Sequence, residues 1–201
     1  MTVAHRPLIL ASSSRYRKEL LERLRLSFFT ISPDVDESPL PGETPRDLAL
    51  RLSLAKARAV IAQNPDSIVI GSDQAASLHG SPLGKPGSIR AARDQLQALS
   101  GQTVIFHTAL TVISPHAVQT AEIPTICEFR TLSAAAIERY VAIDNPLDTA
   151  GSAKAESLGI ALMRSMQSDD PTATIGLPLI TLTRMLAEIG LDPLDAARLP
   201  S

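Results

Sequence analysis

The stretch "TVIFHTALTVISPHAVQTAEIPTICEFRT" (residues 103–131) decides the architecture. Its apolar residues recur with a period of two, as in strands that bury one face. "SPHA" (114–117) breaks the pattern midway with turn-forming residues, so the segment reads as a long antiparallel hairpin. On either side the chain alternates between short apolar runs and helical patterns. A hairpin set into such an alternation indicates an α/β fold whose sheet is mixed, with flanking helices.

Before the hairpin, "LILA" (8–11), "FFTIS" (28–32) and "SIVIGS" (67–72) have the length and composition of covered strands. "SSSRYRKELLERLRL" (12–26) reads as a helix capped by a serine, with Tyr16, Leu20, Leu21 and Leu24 on one face. Thr44, Pro45 and Asp47 open a second helix that runs to about Gln63, with Leu48, Leu52, Ala55 and Ala59 inward. "DVDESPLPGE" (34–43) and "SLHGSPLGKPGS" (77–88) read as loops, and "IRAARDQLQALSG" (89–101) as a helix closed by Gly101. After the hairpin, Ser133 caps "AAAIERYVAI", Pro146 stops it, and a last helix ends at Gly190. No repeat or linker divides the 201 residues, which are expected to form one domain, 1–201.

Composition narrows the function. The chain is 44% hydrophobic, 20% charged and 3% aromatic, with net charge −2 and no Trp. It lacks the basic stripe and stacking residues of a nucleic-acid binder, and no apolar run is long enough for a membrane span. A lone Cys127 allows no internal disulfide, and the cytoplasm is the expected compartment. His5, His79, His107 and His116 show no zinc spacing with one another or with Cys127. "GK" at 84–85 is followed by Pro86 and not by Ser or Thr entering a helix, so it is not a P-loop; no G-x-G-x-x-G follows a strand.

Two strand ends are chemically loaded. Three serines follow "LILA" at a helix start, where free N–H groups favour an anion, and Arg17 lies in the first turn. A plain cap and a solvated arginine would give the same pattern. "IVIGSDQ" (68–74) runs an apolar strand into Asp73, either as an ordinary turn or as the rim of a site. Lys56, at the edge of its helix's apolar face, either snorkels to water or reaches a phosphate. Asp34, Asp36 and Glu37, with Asp73, read as a solvated turn or as oxygen ligands for a hard divalent cation. Taken together, an anion site, separate cations and carboxylates suit phosphoryl chemistry.

The ordered motifs "LILASSSRYRKELLERL", "DVDESP", "RLSLAKA", "IVIGSDQ", "GKP", "ALSG", "AGSAKAE" and "IGLPLITL" resemble the Maf family of nucleoside triphosphate pyrophosphatases over nearly the whole chain. The resemblance implies two lobes around a deep cleft, a Maf/ITPase-like fold. It also implies hydrolysis between the α- and β-phosphates. By that resemblance Ser12, Arg17, Lys56 and Lys85 bind phosphates, Glu37 and Asp73 hold a divalent metal cation (Mg²⁺ or Mn²⁺), and Asp73 accepts the proton. A homodimer fits the family as well. The pyrimidine-type branch carries arginine, threonine or lysine, and glutamine where this chain has Tyr16, Gln74 and Glu156; the 7-methyl-GTP branch carries Trp, Gln and Glu. Gln74 and Glu156 match the second branch, and Tyr16 keeps an aromatic ring there. The alternatives are a dTTP/UTP pyrophosphatase and a non-enzymatic regulator of septum formation, which assaying pyrophosphate release from a nucleotide panel would separate.

Overall fold

The computed structural model describes residues 6–196; the outermost five residues at each end of the expected domain, His5 among them, lie outside the described residues. The hairpin forms as read: β5 (Thr103–Ser114) pairs antiparallel with β6 (Ala117–Phe129) from Ser114↔Ala117 to Thr103↔Glu128, with Pro115 and His116 as its turn. β5 then pairs antiparallel with β3 (Ile68–Leu78), and β3 pairs parallel with β1 (Leu8–Ala11). β2 (Phe29–Ile31) extends the sheet beyond β1, and β7 (Met163–Gln167) beyond β6. β4 (Ser81–Leu83) folds back on β3. The sheet is mixed because crossover helices make its first part parallel and the hairpin makes its second part antiparallel.

One edge of β3 is shared, and this opens the molecule. β1 pairs with it as far as Gly71, and β4 takes up the same edge only at Ala76. Residues 72–75 have β5 on one side and no strand on the other. Helices split in the same way. α1 (Arg15–Glu22) and α5 (Leu179–Glu188) bury Leu20, Leu21, Leu182 and Leu186 against Leu10, Ile70 and Leu110. α3 (Ile89–Leu99) and α4 (Ala134–Asp144) bury Leu96, Leu99, Ile137 and Val141 with Ala76, Val104 and Phe106. Ile70 and Ala76 are six residues apart on one strand, so both helix pairs lie on the same face. They form two lobes with a cleft between.

α2 (Pro45–Ile61) covers the opposite face, against Ile9, Val69 and Ile113. Its start follows the sequence: Thr44 accepts from the Asp47 N–H at 3.1 Å, and Pro45 occupies the first turn. Its inward face differs from the one expected. Ala49, Leu52, Ser53, Lys56, Ala57 and Val60 are buried, whereas Leu48, Ala55 and Ala59 are only half-buried. The small residues Ala49, Ser53 and Ala57 turn toward β3 because the helix lies very close there. A Cβ on Gly71 would sit 2.2 Å from the Ser53 carbonyl oxygen and 2.9 Å from the Ala57 Cβ.

Two further expectations are corrected. β3 does not end at Asp73; held by β5 along its length and by β4 at its end, it runs on to Leu78, so Asp73 is mid-strand. The loop expected at 77–88 contains β4, which turns through His79 and Gly80, both at positive φ. No helix among the described residues is long and apolar enough to cross a membrane. Cys127 is a core residue whose thiol burial pushes up to about 12.

Gly71→Ala should test the close approach of α2. Forcing a methyl against the Ser53 carbonyl is expected to cost about 3 kcal/mol or more, read as a lower midpoint in urea unfolding at unchanged slope.

Candidate active site

Asp73 lies in the stretch of β3 that neither β1 nor β4 covers, with its side chain on the α2 face. There it meets Lys56, whose Nζ lies 2.5 Å from Asp73 Oδ1 and 2.6 Å from Glu37 Oε1. Lys56 is 6% and Asp73 7% exposed, so this is a buried ion pair and not a snorkelling lysine. Glu37 arrives from the loop between β2 and α2. Arg51 pins that loop, with a two-pronged contact to Glu43 at 2.6 and 2.8 Å and a third bond to the Ser38 carbonyl at 3.0 Å. The Arg51 fork, with a bond from the Leu40 N–H, holds Glu43 down at about 2. Burial alone would raise Glu37, but the Lys56 hydrogen bond and the charges of Lys56, Lys85 and Arg17 bring it below the usual carboxylate range.

Arg17 enters from the other side of the gap. Its Nε donates to the Gly176 carbonyl at 2.9 Å, and its terminal nitrogens have no hydrogen-bond partner among the described residues. Burial lowers its pKa against the opposing pull of Asp73 and Glu37, which places it in their field. The Gly176 turn (φ 112°) is built by long-range bonds. Buried Asp170 accepts from the Ile180 and Thr181 N–H groups at the start of α5, at 2.7 and 3.1 Å, and from Thr172. The Ser72 hydroxyl lies 2.8 Å from the Gly176 carbonyl as well. At the end of β1, Ser12 is buried and its Oγ accepts from the Ser14 N–H at 3.1 Å, while Ser14 caps α1. Arg17, Lys56 and Lys85 set three cations against the two carboxylates Glu37 and Asp73. That balance favours an anion.

Between the lobes lies a cleft of about 450 Å³, lined by Tyr16 and Glu19 of α1, Arg23 at its C-terminal cap, Asp144 of α4, Glu156, and Ile175 among others. Tyr16 is half-buried and faces this cleft, not the core with Leu20 and Leu21. Its ring carries the Arg15 guanidinium 5.2 Å from the centroid, so the ring face already accepts a cation. Burial raises the pKa of Glu156, opposed by a backbone hydrogen bond and the charge of Lys154 and reinforced by Asp144 and Asp148.

The geometry thus unites Arg17, Lys56, Glu37 and Asp73, and separately Tyr16 and Glu156. Lys85 is exposed on the loop after β4, near enough to act on Glu37. Gln74 reaches neither group. Its amide nitrogen lies 2.9 to 3.0 Å from Thr108 Oγ1 and from the Ala173 and Thr174 carbonyls, so it fixes the segment leading to Ile175 and Gly176. Asp34 is exposed and Asp36 caps the Ser38 N–H at 2.9 Å, and no group of three His, Cys, Asp or Glu side chains gathers among the described residues. The sequence reading missed Gly176, Ser72, Asp144 and Asp170. Only Gly176 and Ser72 had a signal, lying inside the "IGLPL" and "GSDQ" motifs.

The sequence model of the family described as Maf-like protein matches residues 7–189. A Bordetella pertussis protein named 7-methyl-GTP pyrophosphatase is 66% identical over 187 residues, covering 93% of this chain and 94% of that protein. Proteins of the same name from Aromatoleum aromaticum and Thiobacillus denitrificans are 55% and 53% identical, covering 92% and 96% of this chain and 96% and 98% of their own. Among solved structures, a Staphylococcus aureus Ham1 protein is similar with a TM-score of 0.44 and 18% identity, over 62% of this chain and 72% of that one.

The two lysines should separate in stability. Lys56→Met strands the buried Asp73 charge and is expected to cost about 3 kcal/mol, whereas Lys85→Ala, at an exposed position, should stay within about 0.5 kcal/mol of wild type. Urea unfolding at neutral pH reads both. Glu37, whose pKa is lowered on folding, adds stability above its unfolded value that is lost as pH falls through its folded one. Glu37→Gln should therefore flatten the stability profile in that acidic window.

Proposed function

The chain belongs to the Maf family, and from that premise we propose that it hydrolyses 7-methyl-GTP between the α- and β-phosphates to 7-methyl-GMP and pyrophosphate. The observation that carries this reading is the meeting, in one gap of the sheet, of a buried Lys56–Asp73 pair, joined by the exposed Glu37, with Arg17 beside a cleft holding Tyr16 and Glu156. Relatives so named, at up to 66% identity over 93% of the chain, support the same substrate.

Arg17, Lys56 and Lys85 would bind the triphosphate, and Arg17 enters with its Nε already fixed on Gly176 and its terminal nitrogens available. Cations held in place before reaction stabilise the charge that builds on the leaving pyrophosphate without reorganising. Asp73 keeps one oxygen on Lys56. Its carboxylate would orient water toward the α-phosphorus and accept the proton as the new P–O bond forms and the bond to pyrophosphate breaks. Ser12 would supply a hydroxyl at the same helix start. Glu37 and Asp73 also suit a Mg²⁺ or Mn²⁺ ion, since two hard carboxylates leave sites for water and phosphate oxygens. Such an ion supplies further neutralisation of phosphoryl charge.

At the base end, methylation at the seventh nitrogen makes guanine cationic. The Tyr16 face offers such a base a cation–π contact of about 0.5 to 2 kcal/mol. Guanine presents a ring N–H and an amino group side by side, and the Glu156 carboxylate can accept both. Gln74 contributes at one remove, by fixing the segment that carries Ile175. We assign the chain to the soluble nucleotide pool of the cytoplasm, as a homodimer that should sediment at twice the mass of one chain.

The test is a nucleotide panel with Mg²⁺, measuring pyrophosphate: 7-methyl-GTP should exceed GTP, dTTP and UTP in kcat/KM. A preference for dTTP or UTP would reject the base assignment alone. Asp73→Asn should lower turnover by roughly 10² to 10⁴-fold in a folded protein. Because the Glu156 pKa is raised, its carboxylate protonates at a higher pH than an ordinary glutamate. The preference for 7-methyl-GTP should fall as pH drops toward the acidic range, and Glu156→Gln should weaken the preference and remove this dependence.

A further inference from the structure

Asp144 ends α4, where the helix carbonyls concentrate partial negative charge and a carboxylate is disfavoured. Its contacts explain the position. Oδ1 accepts from Ser157 Oγ at 2.8 Å and Oδ2 from the Gly159 N–H at 3.1 Å, so the residue grips the turn just after Glu156. That turn is tight, for a Cβ on Gly159 would lie 2.4 Å from the Lys154 carbonyl oxygen. Its beginning is anchored too, where the Lys154 N–H donates to the Tyr140 hydroxyl at 3.0 Å.

Asp144 also lines the cleft itself, beside Tyr16 and Glu156. The other charges there are largely matched. Arg15 pairs with Glu19 at 3.4 Å, and the Lys154 ammonium is held by Asp148 at 3.1 Å and the Asn145 carbonyl at 3.3 Å. Arg23 stands on the α1 wall. Asp144 and Glu156 are the cleft carboxylates with no cation within 4 Å among the described residues. The charge of Lys154 lowers the pKa of Glu156 and that of Asp144 raises it, so the two acids lie in each other's field although Lys154, held by Asp148, acts on Glu156 as well.

We infer that Asp144 is a second specificity-determining carboxylate, whose charge adds to that of Glu156 in selecting a cationic purine over a neutral one. The inference rests on the substrate reading above. A neutral base gains nothing from a second negative charge beyond what Glu156 gives it by hydrogen bonding. A methylated guanine gains attraction from both.

Asp144→Asn isolates the charge. An asparagine can accept from the Gly159 N–H with its oxygen and donate to Ser157 Oγ with its nitrogen, so the turn is kept while the charge goes. The ratio of kcat/KM for 7-methyl-GTP over GTP should fall about fivefold, mainly through a higher KM for 7-methyl-GTP. Calorimetric binding of 7-methyl-GMP and GMP should show the same fall without turnover. Asp144→Glu, which keeps the charge, should retain most of the preference. Added salt should erode the wild-type preference more than that of Asp144→Asn. An unchanged ratio in a folded Asp144→Asn, with the wild type still preferring 7-methyl-GTP, would overturn the inference and leave Asp144 as an anchor of the turn. A wild type without that preference would instead reject the substrate reading and the inference with it.

Discussion

The contact between α2 and β3 at Gly71 sets the rest of the site. With hydrogen in place of a side chain at Gly71, the helix comes down until the Ser53 carbonyl occupies space a Cβ would need. Two residues along the strand, the same face presents Asp73; one turn along the helix, the buried face presents Lys56. Close packing thus places an ammonium on a carboxylate in a nearly dry setting. The loop before α2 then brings Glu37 to the same ammonium, and Arg51 of α2 secures that loop through Glu43. One helix therefore supplies the cation, orients the loop acid and closes one face of the gap.

The opposite wall depends on α1. Consecutive helical residues point about 100° apart, and here that divergence assigns them to different tasks. Tyr16 turns into the cleft between the lobes, and Arg17 turns to the Gly176 carbonyl and the field of Asp73. The Gly176 segment is tied to the sheet through Gln74 and Ser72 and to α5 through Asp170. Under the proposed function, the two ends of the nucleotide would in this way be met by neighbouring residues of one short helix. A shift of α1 would move both at once.

Much of this was legible in the sequence, and the limits were physical. The hairpin, the helix caps at Thr44 and Ser133, and the strand LILA follow from local patterns that tertiary structure did not override. The inward face of α2 did not, because a count of apolar residues favours Leu48 and Ala55. A helix pressed against a glycine buries its small residues instead. The extent of β3 was hidden for a related reason: "SDQAAS" looks like a turn until β4 and β5 are known to flank it. Motif resemblance pointed to Arg17, Lys56 and Asp73, but it could not distinguish Gln74 touching a ligand from Gln74 fixing a loop. The partners that separate these roles, Thr108 and Ala173, lie 34 and 99 residues away.

The Lys56–Asp73 pair is an unfavourable choice for stability. Removing two charges from water commonly costs more than their attraction returns, and apolar residues of similar size would often fold as well or better. Small residues at the contact of α2 with the sheet, Ala49 and Ala57 on the helix and Ala75 and Ala109 on the strands, show that this face packs readily without charge. The pair instead sits where β1 and β4 part, where the strand edge is open to a ligand and Arg17 approaches from the far side. A sequence selected for folding alone would have no reason to place a buried ion pair where one edge of β3 is left unpaired. Local rules fail at functional positions because another requirement outweighs them. Under the proposed function that requirement is a polyanion, which needs cations fixed before it arrives and a carboxylate held close to them.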